Sequence, residues 1–339
     1  MRAIVITKAG GPKVLEVREQ PDPEPKDGEV RIQVAYAGLN FADVMARMGL
    51  YPDAPKIPCT VGYEVSGVID RVGAGVSGLR VGDRVLGLTR FGGHASVVVA
   101  SAAQTRKLPE KMTLEEGAAL PVTYLTAFHM LHRVARLRRG STVLVHGAGG
   151  GVGVAAVQLL RHEPGVTIFG TASASKHDFL RELGVHHPID YRTQDYAVEI
   201  KKLTNGRGVD IILDPLGGPD WTKGYDLLAP AGHLCAFGFA NMHAGTTRSL
   251  GRILTQIVRV PKFSPMKLMD DNKAVSGVNM GHLWGEMELL GEEIDELLRL
   301  YEAGVIKPII DTIVPFENAA EGHLRLEERK NVGKVLLKA

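Results

Sequence analysis

The clearest chemistry in the chain lies in the run Val143-Leu144-Val145-His146-Gly147-Ala148-Gly149-Gly150-Gly151-Val152-Gly153, where an apolar stretch meets a glycine turn and a second apolar stretch. Glycine lets backbone approach a pyrophosphate closely, and a helix that opens straight after such a turn offers unpaired amides and its positive dipole end to phosphate. The spacing is a variant of Gly-x-Gly-x-x-Gly: aligned to end at Gly153, it puts Ala148 in the first glycine position. Gly150, Gly151, Val152 and Gly153 are therefore expected against a dinucleotide. An acid for the adenosine ribose would fall roughly 20 residues further on, yet no Asp or Glu stands between Gly170 and His177. Ser173, Ser175 and Lys176 stand there instead, hydroxyls and a cation suited to a 2′-phosphate, so the cofactor expected is NADPH. Ser175 has a second reading as the cap of a helix opening at Lys176.

Metal chemistry has weaker support. A catalytic zinc needs about three protein ligands and an open position. Cys59 has no histidine near it in sequence, and the histidines at 129, 132, 146, 186 and 187 form no ligand pattern, so no metal is expected. Cys59 and Cys235 are the two cysteines of the chain, too few for a disulfide framework or a four-thiolate zinc site.

These residues need a scaffold, and 339 residues with 45% hydrophobic content suit two globular domains. A net charge of +2 with no recurring arginine and aromatic stripe argues against nucleic acid as a partner. No apolar run reaches bilayer length, and Met1 to Thr7 reads as a strand that passes at once into glycine and charge, not as a leader. The expectation is a soluble cytoplasmic protein.

Residues 1–123 show short strands at 30–35, 65–72, 81–88 and 94–99 between Gly, Pro and Asp turns, which suits a small closed β domain. From Pro121 the pattern changes. A helix over 123–135, a buried strand over 142–146, a helix over 152–162, a strand over 166–170, a helix over 176–183, and strands near 189, over 209–213 and over 233–237 alternate as a doubly wound parallel sheet requires. A strand over 273–279 closes the sheet, and a periodic helix runs over 286–302. The expected division is 1–123, a nucleotide-binding domain at 124–283, and a return to the first domain at 284–339.

The phrases Gly38-Leu-Asn40-Phe41-Ala-Asp43, Gly62-Tyr63-Glu64-Val65-Ser66-Gly67 and Ala119-Leu120-Pro121-Val122-Thr123-Tyr124-Leu125-Thr126-Ala127 resemble the zinc-free quinone oxidoreductase branch of the medium-chain dehydrogenase/reductase superfamily. Asp214-Pro-Leu-Gly-Gly218 and Lys330-Asn-Val-Gly-Lys-Val-Leu-Leu337 are similar to its VAT-1 and VAT-1-like subgroup. The resemblance implies a Rossmann domain beside a GroES-like β-barrel catalytic domain, with Asn40 and Tyr63 standing where zinc relatives carry a cysteine and a histidine ligand. It implies zinc-independent, NADPH-dependent reduction of quinones or α,β-unsaturated carbonyls. Thr126 would then sit beside the nicotinamide, Tyr191 in the adenosine phosphate pocket, Gly217, Phe237 and Phe239 at the nicotinamide half, and Asn331 over the cofactor.

Tyr51 is read either as proton donor and oxygen anchor or as a loop ring packed near Pro52 and Pro55. Asn40 orients substrate or nicotinamide, or bonds its own backbone in a turn. Tyr63 joins the catalytic set or packs the pocket. Asp43 and Glu64 are expected to brace the β domain through backbone or arginine contacts. An edge strand over 275–279 would pair with its symmetry mate in a homodimer. The basic, apolar segment 250–269 is read as a pocket lid, a dimer flank or a peripheral membrane contact, the last suiting an NADPH-binding scaffold or lipid-handling protein.

Overall fold

The computed structural model describes residues 1–242 and 250–339, with the side chains of Leu250, Arg252 and Ile253 in the 250–269 segment lying outside the described residues. The chain divides into two compact units, one of Met1–Leu125 with Gly281–Ala339, the other of 126–242 with 250–280.

The first unit opens with an antiparallel pair, β1 (Arg2–Ile6) and β2 (Leu15–Glu19). Next come β3 (Glu29–Leu39), α1 (Phe41–Arg47), β4 (Glu64–Val72), β5 (Arg84–Leu88), β6 (Val97–Ser101), β7 (Thr105–Lys107) and α2 (Leu114–Ala119). Alternation along β3 buries Val30, Ile32 and Val34 against Val65, Ile69, Val85 and Val98. β3 reaches Leu39, further than its β-branched segment suggested, because its last residues pair with a strand from the end of the chain.

α3 (Pro121–Phe128) carries the chain into the second unit and ends in a π-helical turn over His129–Val134, where a continuous helix to Ala135 was expected. Then β8 (Thr142–His146), α4 (Gly151–Leu160), β9 (Thr167–Ala172), α5 (His177–Leu183), β10 (His187–Asp190), α6 (Tyr196–Leu203), β11 (Val209–Asp214), α7 (Pro219–Leu227) and β12 (Leu228–Ala236) alternate. After α8 (Leu250–Val258) and α9 (Pro265–Asp271) the sheet finishes with β13 (Ala274–Gly277). All its pairings are parallel, in the order β10-β9-β8-β11-β12-β13. Counted within this sheet the order is 3-2-1-4-5-6, the Rossmann arrangement, with its switch point between β8 and β11. Val143, Leu144, Ile212 and Leu213 are fully buried, as strands covered on both faces must be.

α10 (Met287–Glu302) lies in the first unit, and β14 (Ile310–Pro315), α11 (Ala319–Glu327) and β15 (Lys334–Lys338) complete it. β15 pairs antiparallel with β3 and parallel with β14, making a seven-stranded sheet. Both compact units therefore have the architecture expected, a doubly wound parallel sheet and a β-barrel-like domain that the C-terminal strands rejoin.

Arg47 at the end of α1 donates to Glu327 at the end of α11, and both side chains are wholly buried. Arg47 Nε also donates to the Gly10 carbonyl at 3.0 Å. Removing one member of such a pair leaves a buried charge unanswered, at a cost of about 3 to 5 kcal/mol, whereas replacing both with apolar residues is close to neutral. Arg47→Met is expected to lower stability by about that amount in urea denaturation followed by circular dichroism, and Arg47→Met with Glu327→Leu to recover most of it. Equal losses in the single and double variants would contradict the charge argument.

Candidate functional site

In the second unit β8 runs into Gly147, whose φ is +63°. The turn is tied to β9: the Gly147 N–H donates to Thr171 Oγ1 at 3.2 Å and the Ala148 N–H to the Thr171 carbonyl at 3.0 Å. α4 opens at Gly151 with Gly150 as its cap residue and no side chain capping it, so its first amides are left for a ligand. A Cβ on Gly153 would stand 2.3 Å from the Gly147 carbonyl oxygen and 2.6 Å from the Ala148 Cα. Glycine at 153 is what lets α4 press against the turn, the close packing a pyrophosphate cradle needs.

β9 ends beside this cradle. Ser173 is buried with its Oγ 3.2 Å from Ser175 Oγ, and Ser175 caps neither the short 3-10 turn at Ala174–Lys176 nor α5. The Lys176 side chain lies over Gly149, its Cδ 2.9 Å from where a Cβ would be. Two hydroxyls and a cation thus stand at the carboxyl end of the second strand, and these residues together fit a dinucleotide with a phosphorylated ribose. Tyr191, one strand further out, is 38% exposed with the Arg192 guanidinium 6.0 Å from its ring.

Across the switch point Asp214 closes β11. Its Oδ1 accepts from the Leu216 and Gly217 amides at 2.6 and 3.2 Å, while its buried Oδ2 has no hydrogen-bond partner among the described residues. Gly217 has φ +81°, and a Cβ there would sink 1.6 Å from Phe239 Cδ2, so the Phe239 ring lies directly on the glycine. Phe239 also stacks on Trp221 at 5.2 Å, and the Phe237 amide donates to the Asp214 carbonyl at 3.0 Å.

In the first unit Glu64, fully buried, begins β4. Glu64 Oε1 accepts from Asn40 Nδ2 at 2.9 Å and from Lys334 Nζ, and Oε2 accepts from the Val122 amide at 2.6 Å. Lys334 Nζ also donates to Asn40 Oδ1 at 2.6 Å. Both ends of the Asn40 amide are therefore engaged. The carboxylate is braced through the Val122 backbone amide, one of the two kinds of contact expected, and through a lysine that was not expected. Asp43, fully buried, accepts from the Asn40 amide at 2.8 Å and lies 3.7 Å from His94 Nε2; burial raises its carboxyl above the usual range. Thr126 is buried in α3, and Asn331, also buried, donates to the Gly333 carbonyl at 2.9 Å.

Tyr63, beside Glu64, is 8% exposed, and its hydroxyl is shut off from solvent with Tyr51 as its side-chain neighbour. Burial, then the charge of Asp43 and the neighbouring Tyr51, push the phenol far above its ordinary value, so it stays protonated. Its ring meets Tyr51 edge-on at 6.5 Å and Phe91 at 5.2 Å. A cavity of about 480 Å³ opens here, walled by Tyr51, Tyr63, Phe91 and Trp284 with Asp53, Arg90 and His282. Sequence reasoning singled out Tyr51 and Tyr63 but not Trp284, Arg90 or Lys334. Lys334 alone left a mark there, a lysine placed directly before three apolar strand residues.

Residues 26–110 match the family model described as alcohol dehydrogenase GroES-like domain, and 183–337 the one described as zinc-binding dehydrogenase. The rat synaptic vesicle membrane protein VAT-1 homolog is 47% identical, over 99% of this chain and 84% of its own length. The chain belongs to the medium-chain dehydrogenase/reductase superfamily. Among solved structures of the superfamily, the human VAT-1 homolog-like protein superposes with a TM-score of 0.87 at 36% identity, covering 100% of this chain and 98% of its own. Escherichia coli quinone oxidoreductase complexed with NADPH gives 0.88 at 28% identity, with both chains fully covered. Although one of the matching models is named for zinc, among the described residues no group of His, Cys, Asp or Glu could hold a metal ion.

Asp214 offers a test of the switch point. Burial raises its carboxyl from 3.8 to about 7. Because the folded chain keeps this proton where the unfolded chain has lost it, the group lowers stability as pH rises through that window. Burial depresses His146 from 6.5 to about 4, which acts in the opposite direction. The stability of Asp214→Asn relative to the parent is therefore expected to grow as pH rises from about 4 to about 7, by at most about 1.4 kcal/mol per unit, and to be flat above. Denaturation curves across that range measure it, and a difference independent of pH would contradict the assignment.

Proposed function

We propose that the chain is a zinc-independent oxidoreductase that uses NADPH to reduce quinones or α,β-unsaturated carbonyls. The observation that carries this reading is the aromatic cavity lined by Tyr51, Tyr63, Phe91 and Trp284, whose Tyr63 phenol is held in its protonated form by burial. Bound NADPH supplies a hydride to an electron-poor carbon of the acceptor, and a proton completes the two-electron reduction. Tyr63 donates a hydrogen bond to the acceptor oxygen as charge develops on it, with Tyr51 beside it as the second hydroxyl. Asn40, fixed between Glu64 and Lys334, orients the acceptor or the nicotinamide.

Lys176, Ser173 and Ser175 bind the 2′-phosphate, and the turn from Gly150 to Gly153 holds the pyrophosphate. Tyr191 lines the adenosine end, Gly217, Phe237 and Phe239 the nicotinamide end, and Thr126 and Asn331 complete the cofactor contacts. Asn40 and Tyr63 in place of sulfur and imidazole ligands support chemistry without a Lewis acid, which favours conjugated acceptors over alcohols. Two free cysteines suit a reducing, cytoplasmic setting. The outer edge of β13 supports a homodimer built by strand pairing.

A second reading, a membrane-associated scaffold or lipid-handling protein with little turnover, is favoured by Leu254, Ile257, Val258, Met266 and Met269, each at least half exposed. Among the described residues no helix is long and apolar enough to cross a membrane.

The purified chain, mixed with NADPH and a panel of quinones and enones, is expected to show acceptor-dependent loss of NADPH absorbance. Lys176→Ala should weaken NADPH about tenfold, the worth of one charge-assisted hydrogen bond, with little effect on NADH. Tyr63→Phe should lower kcat about a hundredfold. Tight NADPH binding with no acceptor-dependent oxidation, together with flotation on liposomes, would favour the scaffold instead.

A further inference from the structure

The charges in the wall of the aromatic cavity are not evenly answered. Asp53 Oδ2 is taken by His282 Nε2 at 2.8 Å. Arg90, exposed and lining the same cavity, has no carboxylate within ion-pair distance among the described residues. A guanidinium stays charged throughout the accessible pH range, and its planar fork matches carboxylate and sulfonate oxygens in pairs.

Its placement is costly in backbone terms. Phe91, the next residue, has φ +136°, a conformation that a bulky side chain rarely adopts and that persists only where surrounding structure enforces it. The enforcement is visible. The Thr89 amide donates to the Tyr63 carbonyl at 2.9 Å, Gly92 to Thr60 at 3.2 Å, Gly93 to Gly62 at 3.2 Å and His94 to Val61 at 2.9 Å. Thr89 Oγ1 adds a bond to the Gly62 carbonyl at 3.0 Å. This zipper holds the strained residue and its neighbour against the segment that carries Tyr63, so that Tyr63, Arg90 and Phe91 all line the cavity.

We propose that the cavity selects planar aromatic acceptors bearing an anionic substituent, with the ring system held among Tyr63, Phe91 and Trp284 and the anion paired with Arg90. The inference rests on the reductase reading for the identity of the ligand as an acceptor, but the preference itself is a property of the cavity. Flat rings suit walls that offer aromatic faces and edges. An unanswered cation beside them gives an anionic group a favourable partner that a neutral analogue lacks.

The experiment compares 1,4-naphthoquinone with 1,4-naphthoquinone-2-sulfonate in the parent chain and in Arg90→Gln, each saturated with NADPH. The ratio of kcat/KM for the sulfonate to kcat/KM for the unsubstituted quinone cancels its meaning as intrinsic reactivity once variant and parent are divided. That double ratio is expected to fall about tenfold in Arg90→Gln; an unchanged value would overturn the proposal.

Binding is read independently of turnover. In Trp221→Phe the remaining tryptophan is Trp284, and naphthalene-2-sulfonate is expected to quench its fluorescence with an affinity that drops about tenfold when Arg90→Gln is added. Equal affinity with and without Arg90 would overturn the proposal. A chain that reduces neither quinone yet shows Arg90-dependent quenching would defeat the reductase reading and leave the anion preference standing.

Discussion

A carboxylate without access to solvent must be answered by the protein around it, and the first unit is arranged about that requirement at Glu64. Lys334, the Asn40 amide and the Val122 backbone N–H supply the answer. They come from the cap residue of α1, the start of α3 and the first residue of β15, positions as much as 294 residues apart. Gly38 has no side chain because the Glu64 carboxylate fills the space one would occupy, a Cβ there falling 2.3 Å from Oε1. Tyr63 precedes this anchored residue, and its carbonyl receives the Thr89 amide. The buried ion cluster thereby sets the position of the cavity wall as well as the stability of the sheet behind it.

The second unit reaches a comparable end with backbone in place of charge. Its glycine turn is held by the Thr171 hydroxyl and carbonyl, and α4 packs onto the turn because Gly153 leaves no side chain between them. On the other side of the switch point Asp214 gathers two amides with one oxygen, while its other oxygen, in the interior, has no hydrogen-bond partner among the described residues. That carboxyl is strained electrostatically, and the order it imposes on Leu216 and Gly217 fixes where Phe239 lies. Strand ends at a switch point are where a parallel sheet leaves room for ligands.

The parts legible in the sequence were those written locally. Apolar runs of strand length, the glycine turn and the missing acid after β9 are each contained in a dozen residues, and the architecture of each unit followed from them. Features that depend on distant partners were not legible. β12 begins at Leu228, ahead of the strand expected over 233–237, because pairing with Val209 carries it through Pro230 and Gly232, residues that read locally as a turn. The helix expected to run to Ala135 changes its hydrogen bonding at His129, which periodicity does not encode. At the candidate site, Asn40 and Tyr63 were visible by position, whereas Lys334 acquires its meaning from Glu64, 270 residues away in the chain. Arg90 and Trp284 become neighbours of the same cavity through folding alone.

A neutral phenol and a metal ion stabilise a developing oxyanion to very different degrees, and that difference constrains the proposed chemistry. The Tyr63 hydroxyl can donate one hydrogen bond and, held protonated by burial and the nearby Asp43, gives up its proton reluctantly. An acceptor served by such a donor has to carry its own electron deficiency, as quinones and enones do through conjugation. Conjugation also makes those molecules flat, which is the shape that walls of Tyr51, Tyr63, Phe91 and Trp284 accommodate. The weak electrophilic assistance and the aromatic lining therefore both support the proposed class of substrate, one from its electronics and the other from its geometry. Where the two requirements meet, the strained Phe91 is the residue whose backbone pays for the wall, and its conformation is maintained by the same segment that positions the phenol.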